Sequence, residues 1–302
     1  MNKKPSLLWA LIILGIGACG SAPGQQTKDP HRSAVNASDS QREHSQFSEE
    51  PDFAIPRPRS VVRDELTTAF PKSEMELDFR KAFLSNEAQL FTALYEGLFS
   101  YHPFTMEPIP GVATKWVVSE DKKQWTFTLR KNAKYWNGDT VTAEHFRSAW
   151  LSLLNPAQQA PYASLFDIID GARAYRLGQN RDPNRVGITA KDDETLIVRL
   201  TAPASFFRSM LCHHSFSPIH PSMLNKKNWS SEPPISNGPF LIKENKPNRM
   251  TLIKNDAYWD AKNVSLNRLI LKFINNGDEA AALWNSGEAR WVYREVNMNN
   301  LT

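Results

Sequence analysis

Between residues 112 and 150 the spacing of apolar residues changes twice. Trp125, Phe127 and Leu129 alternate with Thr126 and Thr128, which predicts a strand with one buried face. Asn137-Gly138-Asp139 follows with the chemistry of a tight turn. Beyond it, Phe146, Ala149, Trp150, Leu153 and Leu154 fall on one face at helical spacing, and Thr142 stands where its hydroxyl can cap that helix. The same reading predicts a strand near Val61 to Ala69 and a helix near Asn86 to Glu96. A loop-rich stretch with one short helix runs from Asn155 to Asn184. A strand over 194–201 carries Leu196, Val198 and Leu200 on one face, and Ser205 to Leu211 reads as helical. Strands are expected at Met250 to Lys254 and Leu269 to Ile274. The latter is so continuously apolar that burial on both faces is expected. A helix opens over Glu279 to Asn285.

The N-terminal end follows a different pattern. Lys3 and Lys4 precede an apolar run from Leu7 to Ile16, too short for an ordinary membrane-spanning helix. Ile16-Gly17-Ala18-Cys19 then resembles a lipobox, so residues 1–18 read as a lipoprotein signal peptide with Cys19 as the lipidated residue. A plain secretory signal is the simpler alternative. Residues 19–56 are polar, with few large apolar groups, and cannot bury enough surface to offset their ordering entropy. They read as a flexible tether. With Cys19 lipidated, Cys212 has no disulfide partner in the chain, and its apolar context predicts an inert, buried thiol.

Charge removes one class of partner. The net +4 falls to +2 once Lys3 and Lys4 are gone, and the basic residues are scattered rather than clustered, so no nucleic-acid partner is indicated. The sequence contains no G-x-S-x-G elbow, P-loop or H-E-x-x-H, and its carboxylate pairs sit in polar loops. No enzyme activity and no cofactor are expected. His213-His214 with His220 is the one histidine cluster. Adjacent histidines are expected to point apart, and no Cys or carboxylate stands at a zinc-like spacing, so a structural or surface role is favoured over metal binding.

The particular residues of the 112–150 unit add a further reading. The run DKKQWTFTLRKNAKYWNGDTVTAEHF (121–146) resembles the signature of the peptide- and nickel-binding family of extracellular solute-binding proteins, the ligand receptors of ABC importers. Asn86-Glu87-Ala88-Gln89, Ala93-Leu94-Tyr95-Glu96-Gly97-Leu98, Pro161-Tyr162-Ala163-Ser164, Ser236-Asn237-Gly238-Pro239-Phe240, Asn255-x-x-Tyr258-Trp259 and Ser286-Gly287-Glu288 resemble further landmarks of that family. One departure is visible: Leu77-Asp78-Phe79 stands where the family often has Leu-Asp-Pro.

The resemblance implies an α/β fold with a periplasmic-binding-protein-like lobe I, a mixed sheet with flanking helices, and a small accessory α+β lobe. Lobe I would comprise residues 57–100 and 187–272, and the accessory lobe II residues 101–186. Residues 273–302 would open a truncated lobe III. It implies an oligopeptide receptor feeding an ABC permease, monomeric, lipid-anchored, and periplasmic or at the cell surface, with competence in doubt if the second large lobe is missing. A non-transporting surface lipoprotein, such as an adhesin or decoy, and a nickel- or haem-binding relative are the alternatives. By the same resemblance a strand edge at Phe83 to Glu87 would face the ligand, with Ser85 and Asn86 toward the peptide backbone. Tyr162 and Asn237-Gly238 would line the cleft wall, loop packing and turn formation being the competing roles for Tyr162 and Asn237.

Overall fold

The computed structural model describes residues 64–72, 75–230, 232–293 and 296–301. The signal peptide, Cys19, the tether and the start of the first expected strand lie outside the described residues. Two sheets organise the rest. The first contains β1 (Glu65–Pro71), β8 (Phe240–Lys246), β9 (Arg249–Lys254), β10 (Arg268–Ile274) and β11 (Trp291–Val292), in the order β11-β1-β10-β9-β8. β1 runs parallel to both β10 and β11, whereas β10-β9 and β9-β8 are antiparallel, so the sheet is mixed as expected. The second contains β4 (Ala113–Val118), β5 (Gln124–Leu129), β6 (Ile188–Ala190) and β7 (Thr195–Arg199), all antiparallel in the order β4-β5-β7-β6. A small hairpin, β2 (Phe99–Tyr101) with β3 (Pro108–Pro110), leads from one to the other.

The helices are α1 (Ser85–Leu94), α2 (Ala143–Leu154), α3 (Ala172–Arg176), α4 (Phe207–Met210), α5 (Pro221–Leu224) and α6 (Gly277–Asn285). The strand-turn-helix unit read from the sequence is present. Trp125, Phe127 and Leu129 are buried on β5, and Phe146, Ala149, Trp150, Leu153 and Leu154 are buried on α2. Thr142 is the N-cap residue, and its N–H donates to Nδ1 of His145, 3.3 Å away. The turn between them places Gly138 at φ +95°, a backbone region that a residue with a Cβ rarely enters.

Sheet membership departs from the expected lobe limits in two places. β6 and β7 fall on the lobe I side of the 186/187 boundary, yet they complete the second sheet. Leu196 and Val198 of β7 lie opposite Phe127 and Trp125 of β5, which gives their apolar face a partner there. The 272/273 boundary falls inside β10, and the chain beyond it stays with the first sheet: α6 packs near β10, and Trp291–Val292 pairs with Thr68–Ala69. β10 is also buried less evenly than its composition suggests. Leu269, Leu271 and Ile274 are buried, while Ile270 and Phe273 are only half-buried.

Candidate functional site

The segment Phe83–Asn86 gathers side chains from three separate parts of the chain, Glu87, Tyr162 and Tyr293. Leu84 is extended (φ −85°, ψ 145°) and helix α1 begins at Ser85, so the strand edge expected over Phe83 to Glu87 is corrected: no strand runs there, and residues 85–87 open the helix. Leucine cannot cap a helix with its side chain, and Glu87 takes over that task. Its Oε2 accepts from the Leu84 N–H at 2.9 Å and the Phe83 N–H at 3.0 Å, and its Oε1 accepts from the Glu76 N–H at 3.0 Å. A carboxylate in the first turn also suits the positive end of the helix dipole. Glu87 itself is buried, so its charge is used within the protein.

The expected site residues divide into two groups. Ser85 is exposed, and its Oγ makes a close hydrogen bond with the hydroxyl of Tyr293, which follows β11. Tyr162 approaches from the loop before the 163–168 turn, and its hydroxyl donates to the Phe83 carbonyl over a long 3.5 Å. Asn86 is buried beside them, with its Oδ1 accepting from the Glu87 N–H at 3.1 Å. Ser85 and Tyr162 are thus brought to one surface, with Asn86 buried behind Ser85.

Asn237 and Gly238 lie deeper, on the other side of α1. Asn237 Oδ1 accepts from the Glu96 N–H (3.2 Å) and its Nδ2 donates to the Glu96 carbonyl (2.8 Å), a two-way clasp across 141 residues of chain. Gly238 donates its N–H to the Leu94 carbonyl at 2.8 Å. A Cβ at that position would stand 2.5 Å from the Leu94 carbonyl carbon and 2.6 Å from Tyr95 N, so only glycine permits this approach.

Two residues that the sequence reading did not assign to the site belong to its surroundings. Tyr293 stacks on Phe70 of β1 at 5.3 Å between ring centroids, in addition to its contact with Ser85. His213 meets the Tyr162 ring edge-on at 4.8 Å, and the His213 and His214 rings lie only 4.0 Å apart. The expectation that these adjacent histidines point apart is therefore corrected: a short 3-10 turn begins at His214, and His213 turns its Nδ1 back to accept from the Ser215 N–H at 3.3 Å. Burial pulls the His213 pKa down to about 4 and holds that of His214 well below the ordinary range, so both rings are neutral at pH 7. His220 stands apart from them, bridging Asp139 and Ser222 at 2.8 Å each. No group of three or more His, Cys, Asp or Glu side chains among the described residues is placed to hold a metal ion. Cys212 is half-buried, and burial raises its thiol to about 12, which makes it a poor nucleophile at neutral pH.

A second buried polar assembly fixes the far end of α1. The Glu96 carboxylate accepts from Tyr258 Oη and Trp259 Nε1, each at 2.6 Å. The Arg130 guanidinium stacks 3.5 Å over the Trp259 ring, and Arg130 Nε donates to the Gly111 carbonyl at 2.6 Å. The Asn255-x-x-Tyr258-Trp259 and Glu96-Gly97 motifs thus meet in space and hold the scaffold behind the site. The larger hollows lie elsewhere: one of about 580 Å³ between α6 and the ends of β9 and β10, one of about 440 Å³ between Trp136 and β8. The candidate site is an open face rather than a closed pocket.

Comparison with known proteins identifies the family. Residues 107–300 match the family described as bacterial extracellular solute-binding proteins, family 5 Middle. The chain is 38% identical over 199 residues to the dipeptide-binding protein DppE of Bacillus subtilis, covering 64% of this chain and 36% of that one. It is 35% identical over 191 residues to the oligopeptide-binding protein OppA of the same organism, covering 62% and 35%. Among solved structures, the Escherichia coli murein tripeptide-binding protein MppA superposes with a TM-score of 0.70 at 31% identity, over 74% of this chain and 45% of that one. The chain thus spans well under half the length of the relatives it matches. These relatives are solute-binding proteins rather than enzymes, with the periplasmic-binding-protein type of mixed α/β sheets seen here. This chain belongs to the bacterial extracellular solute-binding proteins, family 5.

Proposed function

We propose that the chain contributes one wall of an oligopeptide-binding cleft and serves an ABC importer as its substrate receptor. The observation that carries the reading is the convergence of Ser85, Tyr162 and Tyr293 around the exposed Phe83 and the extended Leu84, with Asn86 buried behind them. A receptor for many sequences must read the peptide backbone and tolerate its side chains, and extended backbone flanked by hydroxyls suits that task. Asn237 and Gly238 serve the same wall from behind by fixing the end of α1. Ligand capture in such receptors uses closure of two lobes over the peptide. The names of the relatives, which bind dipeptides, oligopeptides and murein tripeptide, support peptides as the ligand class.

Calorimetric titration of the 302-residue chain with mixed tri- to pentapeptides tests the proposal. Saturable heat that weakens at least about tenfold in Tyr162→Ala, with the fold retained by circular dichroism, is the expected result, since about 1.4 kcal/mol corresponds to tenfold in affinity. Absence of saturable heat with every peptide refutes it. Anchoring is proposed at Cys19 through the lipobox-like Ile16-Gly17-Ala18-Cys19, placing the receptor at the outer side of a bacterial membrane. Incorporation of labelled palmitate by the expressed chain, lost in Cys19→Ser, is the expected outcome; equal labelling of both sinks the assignment.

A further inference from the structure

Phe83 stands out at the centre of the site. It is 66% exposed, and the adjacent Leu84 is 37% exposed, in a chain whose other residues of this kind near the site are buried or half-buried. A mobile loop would let such a ring turn away from water, but here the backbone is fixed from both sides. The Phe83 N–H is held by Glu87 Oε2 at 3.0 Å, and its carbonyl accepts from Tyr162 Oη. The side chain is therefore presented outward on a rigid support.

The electrostatics of the surroundings point the same way. Of the ionisable groups nearest in sequence, Arg80 and Glu87 are turned inward, while Lys81 is exposed and directs its Nζ to the Lys227 carbonyl (3.3 Å) and Asp78 Oδ2 (3.9 Å). Arg80 is buried, pairing with Asp78 through Nη2 at 2.7 Å and donating through Nη1 to Ser152 Oγ and the Leu224 carbonyl. Both Glu87 oxygens are occupied by backbone N–H groups. His213, beside Tyr162, is neutral at pH 7. The side chains in contact around Phe83 and Leu84, namely Ser85, Tyr162, His213 and Tyr293, are aromatic or hydroxyl-bearing and uncharged, and the exposed cation nearest in sequence, Lys81, is already engaged with Asp78 and the Lys227 carbonyl.

Building on the peptide-binding reading above, we propose that Phe83 is a specificity-determining residue that selects peptides carrying an apolar or aromatic side chain opposite it. An aromatic side chain of the ligand would cover the exposed ring, removing apolar surface from water on both partners and adding a favourable ring-ring geometry. An aspartate or lysine in the same position would lose hydration against an aromatic ring that offers no hydrogen-bond partner.

The test uses the 302-residue chain and tetra-alanine peptides in which each position in turn is changed to Phe, Gly, Asp or Lys. At one position, the Phe peptide should bind about tenfold more tightly than the Gly, Asp and Lys peptides, the scale expected for covering one ring. Phe83→Ala should abolish that preference, so that the Phe and Gly peptides bind the variant within about twofold of each other. Because the ring is exposed, the variant should keep the wild-type unfolding midpoint, and binding of the Gly peptide is an internal check on folding. Phe83→Glu should shift the preference from the Phe peptide to the Lys peptide. A preference for Phe that survives Phe83→Ala, or equal binding of all four peptides at every position, overturns this proposal and leaves peptide binding standing. No binding by any peptide overturns both.

Discussion

Replacing Glu96 by glutamine probes the assembly that ties the end of α1 to residues 130 and 258–259. Burial pushes the Glu96 carboxyl up from 4.5 to about 7, against the lowering influence of the Tyr258 and Trp259 hydrogen bonds and of Arg130. The folded chain then keeps a proton that the unfolded chain has released. Such a group contributes stability that is complete below about pH 4.5 and is lost as pH rises towards about 7. The interval between those two values corresponds to about 3 kcal/mol. Glutamine keeps the shape, offers an acceptor to Trp259 Nε1 and a donor to Tyr258 Oη, and does not titrate. His213 acts in the opposite sense: its depressed pKa of about 4 gives stability that is complete above 6.5 and lost as pH falls towards 4. In the wild-type chain the two trends offset, so its pH profile alone is uninformative. The difference between wild type and Glu96→Gln removes the His213 contribution. Urea unfolding followed by tryptophan fluorescence should show the variant gaining about 3 kcal/mol on wild type between about pH 4.5 and 8. A difference constant to within about 0.5 kcal/mol across that range would refute the reasoning.

Other substitutions test the scaffold. Gly238→Ala should destabilise the fold by about 2 kcal/mol or more, because the new methyl group meets the backbone of Leu94 and Tyr95 rather than a side chain that can yield; denaturant titration showing a cost below about 0.5 kcal/mol would contradict this. Arg80→Ala should cost roughly 3–5 kcal/mol by leaving the buried Asp78 carboxylate without its partner. Arg268→Ala, which breaks the exposed pair with Glu65, should cost at most about 1 kcal/mol in the same assay, and equal costs for the two would undermine the distinction.

The parts of this structure legible in the sequence are those governed by short-range order. β5, the Asn137-Gly138-Asp139 turn and α2 follow from periods of two and 3.6 and from turn chemistry, and each needs only its own residues. Sheet membership is different. The alternation Leu196, Val198, Leu200 announces a strand with one apolar face but not which sheet receives it, and β7 joins β5 because Trp125 and Phe127 offer the matching face. The site shows the same division. Ser85, Asn86 and Tyr162 were reachable through family motifs. Tyr293 was not, because its partner Ser85 lies 208 residues away and no local pattern encodes that meeting. The Asn237 amide is a further case: its sequence context reads as a turn, while its two hydrogen bonds close on Glu96 from 141 residues away.

The segments that meet at Phe83 and Tyr162 are anchored in the same buried seam. Arg80, three residues before Phe83, binds Ser152 Oγ of α2 at 2.6 Å and the Leu224 carbonyl of α5 at 2.9 Å. Phe166, four residues after Tyr162, stacks on Phe216 with ring centroids 4.1 Å apart. Trp150 of α2 packs edge-on against both phenylalanines and donates its Nε1 to the Phe216 carbonyl at 3.0 Å. Phe216 in turn follows His213, the ring against Tyr162, by three residues. The segments bearing Phe83, Tyr162 and His213 therefore converge on α2, and each is pinned there by fully buried aromatic rings or by a paired guanidinium. Close-packed interiors of this kind resist small displacements. A ligand meeting this face does not have to order it first, and the entropy of arranging these groups is spent in folding rather than in binding. On the proposed peptide-binding reading, this preorganisation is what would let a surface with an aromatic at its centre discriminate among peptides.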